Sequence, residues 1–344
     1  MLTERQLLIF QAIIDEFVKS AHPVGSRAIS KKENISVSAA TIRNVMADLE
    51  EMGFLKKTHS SSGRIPSEKG YRYYVDHLVS PLTIDSSHVN VIKHLIRDGF
   101  VELEQIIQMS AEVLSDLTNY TTIILGPEVA ETRLKQIQIV KLSLQTAVAI
   151  LVTNTGYVEH RSFTIPPTIK ASDIEKVVNI LNERLYDVPI IQLQEMINDE
   201  LLELMKTNVR AFDQTLRYLN EVFFSEQTVK LYVGGKANML MQPEFRDVEK
   251  IQSFYAMMEK KEEIAKLLKS ENDHLKVTIG QENEIDAIKD FTLITAPYNL
   301  EENQVGTIAL LGPTRMEYRK VITLLKALSN EMTEVLYMWY KHNE

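Results

Sequence analysis

The sequence predicts an α+β multidomain chain with an N-terminal winged helix-turn-helix and, behind it, a sheet domain interrupted by a mainly helical insertion. Three observations carry that reading. Residues 36–74 have the pattern of a short helix, a hairpin and the start of another helix. Helix, short helix, turn, helix, hairpin is the winged order, in which the third helix reads bases. Farther on, strand-like runs rich in Val, Ile and Thr give way to almost wholly helical sequence and then return. One sheet split by an insertion explains this, because separate half-sheets would each need their own cover. Finally, 344 residues with 44% hydrophobic content leave room for two or three domains with ordinary packed cores.

In chain order, Thr3 is placed to cap a first helix in which Leu7, Leu8, Phe10, Ile13, Ile14, Phe17 and Val18 recur at helical spacing up to Ser20. Ala21-His22-Pro23-Val24-Gly25 breaks it. Ser26 is expected to cap a short helix, Arg27 to Lys32, with Arg27 beside the helix N-terminus where it can touch a phosphate. After Asn34-Ile35, Ser38 is the N-cap of the central helix. On its wheel Ile42, Val45, Met46, Leu49 and Met52 share one side, and Ala40, Asn44, Ala47 and Glu51 lie opposite, flanked by Thr41 and Arg43. The outer face is therefore small and polar with a long cation beside it, which suits a helix pressed into a major groove. Arg43 can present two donors to guanine and Asn44 a donor-acceptor pair to adenine, while the methyls of Ala40 and Thr41 can contact thymine. The competing reading of Arg43 is a salt bridge to Asp48 or Glu50.

Gly53 can close this helix in a left-handed conformation, and Phe54-Leu55 leads into a strand. Lys56 and Lys57 sit on the first arm of a hairpin, His59-Ser60-Ser61-Ser62-Gly63 forms its tip, and Arg64-Ile65 begins the return before Pro66. Hydroxyls, a glycine and flanking cations are what a loop along a phosphate backbone requires. Charge agrees. Residues 1–80 hold 11 Lys/Arg and 9 Asp/Glu, a balance of +2, against 27 and 38, or −11, in the remainder. From Gly53 to Arg72 the cations Lys56, Lys57, Arg64, Lys69 and Arg72 face a single acid, Glu68. A solvated surface hairpin would show the same charge, and the adjoining helix is what favours the wing. Ser67 caps a further helix to Val79, whose Tyr71, Tyr73 and Tyr74 read as core packing rather than base stacking. Ser80 to Ser87 is the best boundary, so the first domain spans 1–80.

A helical pattern runs from about Val89 to Leu117. Strands are expected at Ile137 to Leu144, Thr146 to Thr153 and Tyr157 to Ile165, with Asn154-Thr155-Gly156 as a hairpin turn. Helices follow at Asp173 to Leu185, Gln194 to Asn208, Val209 to Phe224 and Asp247 to Leu268. Strands return at Lys276 to Gly280, Phe291 to Pro297 and Gly306 to Leu311, before a long helix from Thr314 to Tyr340. This divides the chain into a sheet domain over 88–166 and 271–344 and an insertion over 167–270 that is expected to hold the dimer contact. The stripe Val321, Leu325, Leu328, Met332 and Val335 reads as intramolecular core.

Several chemistries are excluded or disfavoured. Zero cysteines remove disulfides, thiolate zinc sites and thiol catalysis. No apolar run of about 18 residues is present and MLTERQLLIF lacks the basic start of a signal peptide, so a cytoplasmic protein without a membrane span is expected. Val233-Gly234-Gly235-Lys236 looks like the end of a phosphate loop, but the earlier glycine is missing and Ala237 stands where Ser or Thr should hold magnesium. Those glycines are expected to make a turn. No HExxH, paired-histidine spacing or GxSxG is present, so neither an enzyme nor a cofactor is expected.

The run SAATIRNVMADLEEMGFLKKTHSSSGRIPSEKGYRYYVDHL, with PVGSRAIS before it, resembles the signature of the HrcA heat-shock repressors. LYVGGKANMLMQPEF from Leu231 to Phe245 and the tail from Ile279 to Met332 resemble the same family, without a departure. The resemblance spans essentially the whole chain. It implies that the interrupted sheet domain is GAF-like and that the insertion is a dimerisation domain. It implies a homodimer on the CIRCE inverted repeat, double-stranded DNA upstream of chaperonin and Hsp70-system operons, repressing them, with the chaperonin GroEL keeping the repressor active. The candidate DNA-binding residues are Ser26, Arg27, Ser38, Ala40, Thr41, Arg43, Asn44, Lys56, Lys57, His59, Ser60, Ser61, Ser62, Gly63 and Arg64. The alternative is a ligand-responsive winged-helix repressor that senses a metabolite through its GAF-like domain.

Overall fold

A computed structural model describes residues 2–58, 63–79, 103–126, 133–143, 145–154, 158–167, 169–193, 195–199, 230–245, 247–269, 274–300 and 303–343. The chain forms two compact units, Met1–Gly126 with Leu231–Thr333, and Pro127–Lys230 with Glu334–Glu344.

The first unit begins with α1 (Glu4–Ser20), α2 (Ser26–Ile29) and α3 (Ala39–Glu51), then the strands β1 (Leu55–Lys57) and β2 (Arg64–Pro66), then α4 (Glu68–His77). This is the order expected from the sequence. Thr3 caps α1 through a reciprocal pair, its hydroxyl accepting from the Gln6 amide and the Gln6 side chain accepting from the Thr3 amide. Ile9, Phe10, Ile13 and Ile14 of α1 are buried with Ile42, Val45, Met46 and Leu49 of α3, as the helical spacing requires. Tyr71 and Tyr74 of α4 are buried, and Tyr73 lies 6.3 Å from the Phe10 ring and 5.0 Å from the Phe54 ring. The tyrosines therefore pack, as expected.

The remainder of this unit is built on a five-stranded antiparallel sheet of order β7-β3-β10-β9-β8, from β3 (Thr121–Leu125), β7 (Leu231–Gly234), β8 (Lys276–Ile279), β9 (Phe291–Leu300) and β10 (Asn303–Pro313). The helix α5 (Leu103–Thr118) lies against β3 and β7, and the long α9 (Tyr318–Asn343) buries its Val321, Leu325, Leu328 and Met332. The expected helix over 247–268 is two helices, α7 (Val248–Glu259) and α8 (Lys261–Leu268), parted at Lys260. Gly235 does make a turn, at φ +65°, and a Cβ there would come within 1.6 Å of the Ser115 hydroxyl.

The second unit holds β4 (Leu134–Lys141), β5 (Thr146–Thr153) and β6 (Val158–Thr164), which among the described residues pair only with one another, and α6 (Ala171–Leu185). The expected division at 166/167 is therefore corrected. These three strands are not the first half of the interrupted sheet, and α7 and α8 belong with the first unit. The physical reason is that β4, β5 and β6 have their own cover. Ile137, Ala149 and Leu151 pack with Ile174, Val177, Leu181 and Leu185 of α6, and the Asn182 amide clamps both the N–H and the C=O of Ile137 at 2.7 and 2.8 Å. Two short strands that do belong to the larger sheet, β3 and β7, were not expected. The expected helices over 194–224 lie almost wholly outside the described residues.

Candidate nucleic-acid interface

The centre of the site is α3. The Ser38 hydroxyl accepts from the Thr41 amide at 3.1 Å and lies 3.0 Å from the Thr41 hydroxyl, so both are occupied with starting the helix. Burial of Ile42, Val45, Met46 and Leu49 turns the opposite side outward, and Ala40, Arg43, Asn44 and Ala47 are exposed, with Thr41 half-buried. Arg43 forms no ion pair with Asp48 or Glu50. Glu50 instead takes Arg64, 2.7 Å from its Nε. The competing reading of Arg43 fails, and its five donors are left facing solvent.

The hairpin is a three-residue ladder, Leu55↔Pro66, Lys56↔Ile65 and Lys57↔Arg64. Val24 adds a bridge on the other edge, exchanging bonds of 2.8 and 2.9 Å with Arg64. A Cβ on Gly63 would meet the Pro23 carbonyl at 2.8 Å, so only glycine lets the segment between α1 and α2 cross the hairpin this closely. The tip residues His59, Ser60, Ser61 and Ser62 lie outside the described residues.

The five expected cations divide sharply. Lys56 and Lys57 are exposed on the first arm. Arg64 is held by Glu50, and Lys69 donates to the Met52 carbonyl at 2.8 Å over the Phe54 ring, securing the C-terminal end of α3. Arg72 binds the Glu282 carboxylate, donates to the Val277 carbonyl at 2.6 Å and pairs with Asp76 at 3.2 Å. Burial opposes ionisation of Glu282, but hydrogen bonds from Arg72 and from the Ile279 amide, with the guanidinium charge, hold its carboxyl below the ordinary value.

One expected role is corrected. Ser26 is not a cap: Gly25 is the N-cap, and Ser26 is the first helical residue and is buried. Gly63 is buried beneath Pro23, and Arg64 is committed to Glu50. Gly63 and Arg64 both shape the root of the hairpin. Arg27 remains exposed on α2. Sequence reasoning missed the bridge at Val24 and the engagement of Arg72, and no local pattern announces either, because both partners are distant in the chain. Among the described residues no three His, Cys, Asp or Glu side chains group to hold a metal.

With this geometry established, the chain can be set beside known proteins. The family described as HrcA protein C terminal domain matches residues 104–322. The heat-inducible transcription repressor HrcA of Oceanobacillus iheyensis is 61% identical over 342 residues, 99% of each chain, and so covers the first four helices as well. A solved structure described as a hypothetical protein superposes with a TM-score of 0.72 at 19% identity, covering 98% of this chain and 100% of that one, which shows the fold.

Proposed function

The chain belongs to the HrcA family of heat-inducible transcription repressors, and on that premise we propose how it represses. It is a DNA-binding repressor and not an enzyme. Residues 2–58 and 63–79 form a winged-helix reading head. Arg43 and Asn44 read base edges, and the methyls of Ala40 and Thr41 sort thymine. Arg27, Lys56, Lys57 and the wing tip over 59–62 hold the phosphate backbone and set the register. The observation that carries this is the outer face of α3, small and exposed, with Arg43 pairing with no acid among the described residues.

The operator is the CIRCE inverted repeat, bound by a homodimer, since two identical heads select a palindrome of fixed half-site spacing. The second unit supplies the dimer contact. One face of its sheet is covered by α6, while the other carries Val140, Val148, Ile150, Val152 and Val158, of which Val140 and Val158 are 44% and 50% exposed. An apolar stripe with exposed valines on one face of an antiparallel sheet calls for a partner surface. The larger sheet is the GAF-like domain. GroEL keeps the repressor folded, and heat diverts that chaperonin to other clients. A repressor of marginal stability then loses its DNA-competent fraction. The setting is the cytoplasm. No helix of the described residues is long and apolar enough to cross a membrane.

The test is binding to a CIRCE duplex and a scrambled duplex at fixed salt, with and without GroEL. Discrimination that GroEL enhances is the expected result; equal binding to both duplexes contradicts the reading. A second reading has one observation behind it. A groove of about 640 Å³ is lined by His274, Pro297, Asn299, Lys326, Asn330 and Thr333, and the Oδ1 of its Asn299 is buried and has no hydrogen-bond partner. Saturable binding of a small molecule there, with a change in operator affinity, would mark a ligand-responsive repressor.

A further inference from the structure

The helix that follows the wing is tied, at several points, to the five-stranded sheet of its own unit. Arg72, midway along α4, reaches the edge strand β8, where its guanidinium donates to the Val277 carbonyl at 2.6 Å, and binds Glu282 in the 3-10 turn that follows the strand. One turn away, Glu68 accepts from the Gln281 amide at 3.3 Å. Gly280 lies against it at φ +57°, where a Cβ would approach the Glu68 carboxyl carbon to 2.5 Å. From α9, Arg319 donates to the Leu78 carbonyl at 2.9 Å, and from the turn just before α9, Arg315 donates to the Val18 carbonyl at 3.4 Å. The Tyr318 ring sits 5.7 Å from Tyr71 and 6.4 Å from Tyr74.

This junction differs from the cores on either side of it. Its contacts are directional, and it encloses two polar atoms without partners, the Tyr71 hydroxyl and the Arg319 Nε. An apolar core tolerates the loss of one hydrogen bond. A junction held by charge-assisted bonds around unsatisfied polar groups is fixed by those bonds and is weakened by losing any of them. Arg72 makes two such contacts across the junction, to Glu282 and to the Val277 carbonyl.

We propose that Arg72 is a positioning residue, a latch whose clamp by Glu282 and the Val277 carbonyl fixes the reading head on the edge of the sheet. The sheet, rather than the DNA, then sets the direction in which α3 is presented. The consequence rests on the operator reading above: in a dimer, the latch converts a flexible pair of heads into one matched to a single half-site spacing.

The chain has no cysteine, so spin labels at Lys31→Cys and Glu284→Cys report the distance from head to sheet in the full-length protein. A narrow distance distribution is expected in the parent, a broad one in Arg72→Glu and in the milder Glu282→Gln, and a narrow one again in the exchange Arg72→Glu with Glu282→Arg. A circular dichroism spectrum matching the parent's keeps loss of folding apart from unlatching. Glu282→Gln is further expected to bind a single half-site as tightly as the parent while losing preference for the natural spacing over one lengthened by a base pair. A distribution that stays narrow in both Arg72→Glu and Glu282→Gln, or is already broad in the parent, overturns the latch. A parent without spacing preference but with a narrow, Arg72-dependent distance overturns the operator reading and leaves the latch standing.

Discussion

The helices α3 and α4 lie in the same small head, both begin on a serine cap and both are amphipathic, yet they treat their polar residues in opposite ways. α3 leaves Arg43 and Asn44 exposed and, among the described residues, unpaired. α4 engages almost everything it has: Glu68 with the Gln281 amide, Lys69 with the Met52 carbonyl, Arg72 with Glu282, and Tyr74 with Asp15 at 3.4 Å. A helix that reads DNA must keep its donors unsatisfied until DNA arrives, whereas a helix that orients the reader must satisfy them in advance. Substitutions in α4 should therefore act on the folded state, and those on the α3 face or the wing on DNA alone.

The largest effect that would sharpen this contrast is expected at Gly70. A Cβ there would stand 2.2 Å from the Phe54 carbonyl oxygen and 3.3 Å from the Phe10 ring, so Gly70→Ala must push α4 off the base of the wing. Overpacking of this kind costs about 1–3 kcal/mol or more. A urea midpoint unchanged from the parent would break the contrast.

Lys57→Ala is next. Removing one phosphate contact should flatten the slope of log affinity against log salt by about 0.9 and weaken cognate and random duplexes alike. Thermal unfolding of the free protein should not move.

The smallest effect is on pH. Glu282 is held below its ordinary value of about 4.5, so its pairing stabilises the folded state fully above that pH and is lost as pH falls through the depressed value. Asp15 has the opposite sign. Burial raises it despite Arg319 and the Tyr74 hydroxyl, so its contribution is present below about 3.8 and lost as pH rises through the raised value. Because Glu282 is partly exposed, its share is about 0–1 kcal/mol. Glu282→Gln should therefore remove a small acid-side loss of stability in urea titrations below pH 4.5, and an identical pH profile in parent and variant would deny the pairing any weight.

The same contrast explains how far the sequence could be read. α1, α3 and α4 were legible because Thr3, Ser38 and Ser67 are local caps followed by helical spacing of apolar residues. The exposed face of α3 was legible for the same reason. Which cations remain free was not, since Lys57 and Arg72 look alike in the chain and differ only through Glu282, which lies 210 positions from Arg72. Strand pairing had the same limit. Richness in Val, Ile and Thr located β5 residue for residue, but whether β4, β5 and β6 join the larger sheet depended on whether α6 covers them. β3 was hidden because a strand buried along its whole length, as Thr121–Leu125 is, shows no alternation.

The central claim is that the outward face of α3 reads sequence while the engaged cations serve the fold. The direct measurement is the ratio of affinities for a CIRCE duplex and a scrambled duplex at fixed salt, for the parent and Arg43→Ala, alongside the unfolding midpoint of each. The account expects Arg43→Ala to lose about 1–3 kcal/mol of discrimination with its midpoint unchanged. Discrimination equal to the parent's, or a loss that follows a fallen midpoint, would contradict it.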